Sequence, residues 1–353
     1  MSSSPDLILV TGASGWLGSR LIEAMAAGAA ELPAFGQTLM NLRIRCLRPP
    51  TQETADLHWP SERVEIISGD LRNPADCARF CKGADGAVLY HTAGIIHPRR
   101  VSEFEAVNVR GTVNLLDAAV EAGVRRAVVV SSNSPCGCNP HPEHLFDELS
   151  PYHPYLNYGR SKMEMELAVK KRQRQGGIET VIIRAPWFYG PSQPPRQSLF
   201  FRMIREGKAP IVGSGENLRS MCYIDNLCHG LILAALSERA TGETYWIADR
   251  RPYSMNEIIS TVESLMEREF GYDCAHKRLR LPGLASSIAY VADATLQSLG
   301  LYHQKIHVLS EMNKTIACSI GKAERELAFR PTVELEEGMR RSLAWCKSKG
   351  ILL

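Results

Sequence analysis

Short, nearly uninterrupted apolar runs recur along the first half of the chain, each followed by a stretch with helical spacing. Leu7–Thr11 is the first such run, and Ser19–Ala29 after it carries apolar positions three and four apart. Leu42–Leu47, Val64–Ser68, Ala87–His91, Ala127–Ser131 and Thr180–Ala185 read as further strands; Val101–Ala122 and Tyr158–Gln173 read as helices. Strands apolar on both faces, alternating with helices, predict a parallel sheet covered on both sides. After Ala185 the rhythm changes, with proline and glycine gathered in Pro186–Pro195 and Lys208–Gly215. Met221–Ala235 and Thr244–Ile247 are expected to return to the main sheet. The chain therefore divides into a body, residues 1–189 with about 221–249, and a smaller, mostly helical lobe from about 190–220 and 250–353. That lobe is expected over the carboxyl ends of the strands, where a doubly wound sheet takes its ligand.

Composition narrows the picture without changing it. A formal net charge of +3 and the absence of a long basic run give no ground for nucleic-acid binding. The start of the chain lacks the layout of a secretory signal. Leu281–Leu301, the most apolar late stretch, is interrupted by Pro282, Asp293 and Gln297. It reads as an amphipathic helix packed on the body, with a peripheral membrane contact as the lesser reading and no membrane span. The ten cysteines lack zinc-ligand spacing and fall mostly in apolar segments. They read as reduced thiols of a cytoplasmic protein, with no metal site.

Candidate chemistry begins at Thr11-Gly12-Ala13-Ser14-Gly15-Trp16-Leu17-Gly18, between the first strand and the first helix. Gly12 permits the tight turn, Gly15 lets backbone approach a pyrophosphate, and Gly18 lets helix and strand pack closely. The helix N-terminus then offers unpaired N–H groups and partial positive charge. This predicts a Rossmann-type, doubly wound α/β fold binding a dinucleotide. The second strand ends Arg45-Cys46-Leu47-Arg48 with no carboxylate for the ribose hydroxyls, so Arg48 favours NADP over NAD. The insertion between residues 30 and 41 leaves that alignment open. Asp70, after the third strand, is placed either to meet the adenine or to cap a turn.

Tyr158 and Lys162, four residues apart, share a helix face. A nearby ammonium favours the phenolate, which would bring a tyrosine hydroxyl below its ordinary value near 10 and into use as acid or base. The strand before this helix delivers Ser132 to the sheet's carboxyl edge, where its hydroxyl could bond a substrate oxygen. Ser131 and Ser134 are the rival hydroxyls.

At these residues the sequence resembles the extended short-chain dehydrogenase/reductase family, in its epimerase/dehydratase branch. The resemblance rests on the glycine turn, Gly69-Asp70-Leu71, His91-Thr92-Ala93-Gly94, Asn108-Val109-Arg110-Gly111-Thr112, Ser132, Tyr158 with Lys162, Arg184-Ala185-Pro186 and Tyr223-Ile224-Asp225. It implies Ser132, Tyr158 and Lys162 as catalytic residues. It implies a coenzyme site from Gly12, Ser14, Gly15, Trp16, Leu17, Gly18, Arg48, Asp70, Leu71, Thr92, Ala93, Gly94, Asn108, Tyr158, Lys162 and Pro186. It also implies a homodimer through the helices near 101–122 and 158–173. Family members that dehydrate nucleotide sugars carry an acid just after the catalytic serine or threonine; here Asn133 and Ser134 follow, which disfavours dehydration. Arg219 resembles the arginine that meets substrate phosphates in the sugar epimerases. Trp187 stands where those enzymes have asparagine, and Trp187-Phe188-Tyr189 suits an apolar or ring-shaped substrate, with Ser134 beside it. The expectation is hydride transfer at a secondary alcohol or ketone of a small molecule, foremost a nucleotide sugar in a 4-epimerase-like reaction. The alternative is an NADPH-dependent ketoreductase or 3β-hydroxysteroid dehydrogenase-like enzyme. A non-catalytic, coenzyme-sensing protein is the third class, and the intact Ser132, Tyr158 and Lys162 argue against it.

Overall fold

The computed structural model describes residues 7–27, 42–50 and 62–353. The leading residues 1–6 and the 30–41 insertion, on which two sequence expectations rest, lie outside that range. Seven strands form one sheet: β1 (Leu7–Thr11), β2 (Arg43–Arg48), β3 (Val64–Ser68), β4 (Val88–His91), β5 (Arg126–Ser132), β6 (Glu179–Ala185) and an edge strand, Thr244–Trp246. Their spatial order is Thr244–Trp246, β6, β5, β4, β1, β2, β3, with every neighbouring pair parallel. The chain winds outward from β1 to β3 and then crosses back to β4 on the other side of β1. A crevice therefore opens where Thr11 pairs with His91 at the carboxyl edge.

Alternation along each strand fills both faces. Val10, Tyr90, Val128 and Ile183 point to one side, where they pack with Leu21, Leu231 and Phe329. Leu9, Leu89, Val129 and Ile182 point to the other, against Phe80, Leu115 and Met165. The helices Trp16–Ala27 and Ile224–Leu236 cover the first face, and Pro74–Cys81, Gly111–Glu121 and Leu156–Gln175 the second. The helical stretch before Gly111 is not regular: Ser102–Phe104 is α-helical and Glu105–Arg110 forms a π-helical turn.

The smaller lobe has its own core, in which Tyr189, Tyr223 and Tyr253 pack with Ile258, Leu265 and Leu343. Here the sequence expectation needs correcting. Met221–Tyr223 does not join the main sheet; it pairs with Trp187–Tyr189 in a separate two-stranded sheet, and only Thr244–Trp246 rejoins the main one. The apolar run from 221 onward reads as one block, yet it turns at Tyr223 from strand into the Ile224–Leu236 helix, where the Tyr223 amide donates to the Asp249 carboxylate at 2.9 Å. In the other direction, Ile320, Ala323, Leu327 and Phe329 pack into the body.

The Leu284–Ser298 helix lies where the sequence predicts one, but with the faces reversed from expectation. Its buried residues are Ser286, Ala289, Asp293 and Gln297, while Leu284, Ile288 and Val291 are exposed.

Candidate active site

β1 ends at Thr11 and the first helix begins at Trp16. Gly12 has φ +72°, and a Cβ on it would stand 2.6 Å from the Ala93 nitrogen, so no other residue fits that turn. A Cβ on Gly18 would strike the Gly12 carbonyl, which is the close approach of helix to strand read from the spacing. Gly15 is exposed on the outer side of the turn, Ser14 half-buried beside it, and Leu17 anchors the helix in the core. The first helical turn carries no acidic residue. An exposed glycine beneath an uncharged helix N-terminus fits a dinucleotide pyrophosphate.

Other coenzyme candidates converge on the same edge. The Thr92 hydroxyl donates to the Thr11 carbonyl at 2.7 Å, drawing the Thr92-Ala93-Gly94 segment across the switch point. His91, buried between the Thr11 and Thr112 hydroxyls, is pushed by burial down to about 3 and stays neutral. Arg48 closes β2, half-buried. Trp16 reaches away from the turn: its Nε1 donates to the Pro191 carbonyl at 2.7 Å and its ring lies 5.0 Å from Phe188, so it clamps the small-lobe loop. Asp70 caps a turn, accepting the Arg72 amide at 2.9 Å and the Arg72 guanidinium at 2.5 Å, which holds its carboxyl below the usual range. Leu71 beside it is buried. Pro186 links β6 to the Trp187–Tyr189 strand.

β5 resolves the three rival hydroxyls by alternation. Ser131 turns under the sheet and donates to the Glu166 carboxylate at 2.6 Å, within the buried Glu166–Arg184 ion pair. Ser132, the next residue, therefore faces the other way, near enough to the Tyr158 hydroxyl to favour its ionisation. Ser134 Oγ lies 3.3 Å from Ser132 Oγ, close enough to share its hydrogen.

The helix carrying Tyr158 is entered under strain. Leu156, its first residue, has φ +52°, a left-handed conformation that costs a leucine about 1–3 kcal/mol. A Cβ on Gly159 would stand 2.5 Å from the Ser134 carbonyl, so the loop after β5 closes on the helix only at a glycine. The Asn108 side chain bonds the Ile95 backbone on both its atoms, at 2.8 and 3.1 Å, and donates to Ser161 Oγ at 3.1 Å. Ser161 in turn donates to the Tyr158 carbonyl at 2.8 Å. Asn108 thus joins the loop beside Gly94 to the helix of Tyr158 and Lys162.

One electrostatic expectation is overturned. Tyr158 lies not below its ordinary value but above it, at about 12: burial penalises the phenolate, and neither the nearby Ser132 hydroxyl nor the Arg196 charge compensates. Glu311 pushes it further up. Lys162, one turn on, donates from Nζ to the Val130 carbonyl at 3.0 Å, and burial lowers this lysine to about 8.

The substrate-side candidates divide. Trp187 is half-buried and packs edge-on to Phe200 at 5.8 Å. Tyr189 is not a cleft residue: it is buried in the small lobe with its hydroxyl donating to Asp249 at 2.8 Å. Arg219 lies on a two-residue strand opposite Tyr253, and its guanidinium donates to the Glu311 carbonyl at 2.5 Å. Residues unnoticed in the sequence stand closer. Phe104 lies 5.7 Å from the Tyr158 ring, Tyr302 packs edge-on to Phe104 at 5.6 Å, and His97 Nδ1 is 2.9 Å from the Tyr302 hydroxyl. Tyr302 and Glu311 come from the small lobe, some 150 positions along the chain, and no local spacing announces them.

The sequence matches the NAD dependent epimerase/dehydratase family over residues 8–248. It is 53% identical over 345 residues, covering 98% of this chain and 96% of the other, to an uncharacterized protein, y4nL, of Sinorhizobium fredii. It is 29% identical to 3beta-hydroxysteroid-dehydrogenase/decarboxylase isoform 1 of Arabidopsis thaliana, over 95% of this chain and 78% of that one. Among solved structures, UDP-glucose 4-epimerase of Thermotoga maritima has a TM-score of 0.73 at 19% identity, covering 97% of this chain and 99% of its own. A dTDP-glucose 4,6-dehydratase of Streptomyces venezuelae with NAD bound has a TM-score of 0.72 at 26% identity, with 97% of each chain covered. With the family matched across the whole sheet and the glycine turn, serine, tyrosine and lysine assembled at its edge, this chain is an NAD(P)-dependent enzyme of the NAD dependent epimerase/dehydratase family.

Proposed function

We propose that the protein moves a hydride and one hydroxyl proton at a secondary alcohol or ketone carbon, with Ser132, Tyr158 and Lys162 as its catalytic residues. The observation that carries this is the meeting of Ser132, at the carboxyl end of β5, with Tyr158, and Lys162 one helical turn on. NAD(P) supplies the hydride acceptor or donor. Tyr158, protonated at neutral pH, gives its proton to the substrate oxygen in the reducing direction and takes it back in the oxidising one. Ser132 holds that oxygen with a hydrogen bond that strengthens as charge develops. Lys162, cationic below about pH 8, orients the coenzyme ribose above the exposed Gly94. Asn133 and Ser134 follow Ser132 where a dehydratase would carry an acid, so elimination of water is not part of the proposal.

A nucleotide sugar is the favoured substrate, with Arg219 and Arg196 available to its phosphates. Arg48, at the end of β2, supports NADP over NAD. A second reading, reduction or oxidation of an apolar alcohol such as a 3β-hydroxysteroid, is favoured by the Phe104–Tyr302 pair beside Tyr158 and by the Arabidopsis relative. A homodimer through the helices near 101–122 and 158–173, in the cytoplasm, completes the proposal.

Tyr158→Phe should lower kcat by about 10²–10⁴-fold while leaving coenzyme affinity within a few-fold. Full turnover by that variant would sink the mechanism. Arg48→Ala should weaken NADP about 10–100-fold and leave NAD unchanged, measured by fluorescence titration; equal losses for both would remove the NADP preference. Turnover of nucleotide sugars against that of hydroxysteroids decides the substrate.

A further inference from the structure

Leu284, Ile288, Val291 and Leu299 form one stripe along the Leu284–Ser298 helix and its end, and they are 68%, 62%, 64% and 70% exposed. The opposite face is polar and buried. Ser286 donates to the carbonyls of Leu309 and Ser310, Asp293 meets His307 at 2.7 Å, and Gln297 accepts from both the backbone and side chain of Asn157. These bonds fix the helix with its apolar stripe outward, since turning it over would break the buried Asp293–His307 pair.

The stripe is part of a larger patch. Of the seventeen large apolar side chains exposed among the described residues, eight fall between Leu279 and Val308. Scattered exposed leucines need no explanation, but a set gathered in one segment around an outward-facing helix stripe marks a surface that meets something. Charge indicates what. From residue 277 to 310 the chain carries Lys277, Arg278, Arg280 and Lys305 against a single acid, Asp293, which is buried. Arg278 is held by Glu263, but Lys277, Arg280 and Lys305 are exposed, and Arg100, also exposed, bridges to Leu301 from the other side. A second copy docked through this face about a two-fold axis would set the basic fringe against itself. An anionic lipid surface complements both parts, taking the apolar stripe at the headgroup boundary and the cations among the phosphates.

We propose that this face docks on bilayers containing anionic phospholipid, with the Leu284–Ser298 helix lying in the plane of the surface. No helix among the described residues is long and apolar enough to cross a membrane, so the contact is peripheral. The proposal concerns binding alone and holds whichever substrate the cleft takes.

The test is co-flotation of the purified full chain with vesicles of phosphatidylcholine alone and of phosphatidylcholine mixed with phosphatidylglycerol. The protein should float with the mixed vesicles, bind the neutral ones weakly, and lose binding as salt is raised. Leu284→Ser/Ile288→Ser/Val291→Ser should lower partitioning by about ten-fold or more, with circular dichroism and coenzyme affinity unchanged. Should the triple variant not fold, Arg280→Glu/Lys305→Glu keeps the stripe intact and should still abolish the preference for anionic vesicles. Wild-type protein that stays with the soluble fraction would overturn the proposal, as would binding indifferent to both variants. So would a dimer in analytical ultracentrifugation that the triple variant dissolves while neither protein floats, which would assign the face to a second copy.

Discussion

The body and the cap helix Leu284–Ser298 use polar and apolar residues in opposite ways. In the body, apolar side chains fill both faces of the sheet, with the fully buried Glu166–Arg184 ion pair a charged exception to them. At the cap, polar side chains form the contact and apolar ones face outward. The difference teaches that amphipathic spacing reveals a helix and its two faces but not which face turns inward. That direction is set by partners far along the chain, here Asn157 and His307.

The sharpest way to break the comparison is at the body's exception. Glu166→Ala would strand Arg184 in the core and should cost about 3–5 kcal/mol in urea unfolding of the whole protein; a loss below 1 kcal/mol would show the pair to be well hydrated. Asp293→Asn should act locally instead. Burial opposes the charge on His307, but its bond with Asp293 outweighs that and raises its value above the ordinary 6.5. The contribution is thus full below about 6.5 and is lost as pH rises through the raised value in the folded protein. Amide exchange across residues 284–311, normalised to the intrinsic exchange rate at each pH, should therefore quicken as pH rises above about 6.5, and Asp293→Asn should remove that excess while costing about 1–3 kcal/mol locally. The smallest effect belongs to the stripe. Ile288→Ser should shift thermal stability by no more than about 0.5 kcal/mol, because the side chain is already in water. A larger loss would mean that the stripe is covered within the folded protein.

The legible part of the molecule was that whose cause is local. Gly12, Gly15 and Gly18 announce the turn because each does a backbone job at fixed spacing. Ser132 follows from the strand that delivers it, and Tyr158 with Lys162 from one helix face. The ionisation of Tyr158 runs against the spacing because spacing shows the neighbouring Lys162 but not the burial that penalises the phenolate. Tyr189 was misplaced for a related reason: an aromatic run shows ring chemistry, whereas the acid that buries its hydroxyl, Asp249, lies sixty residues on. The small-lobe side of the cleft, with Tyr302 and Glu311, depends wholly on such distant meetings.

The π-helical turn at Glu105–Arg110 has a consequence for how this chain tolerates insertions and deletions. A wider turn holds one residue more than the α-helix it interrupts. Removing one residue from 105–107 would let the turn close into regular α geometry with the flanking helix still in phase, so the change stays within the turn itself. Asn108, inside that turn, meets the Ile95 backbone and Ser161 together. A single-codon deletion here would therefore spare the course of the helix and act through Asn108, the support of Tyr158, where the same deletion in a regular helix would turn one half against the other.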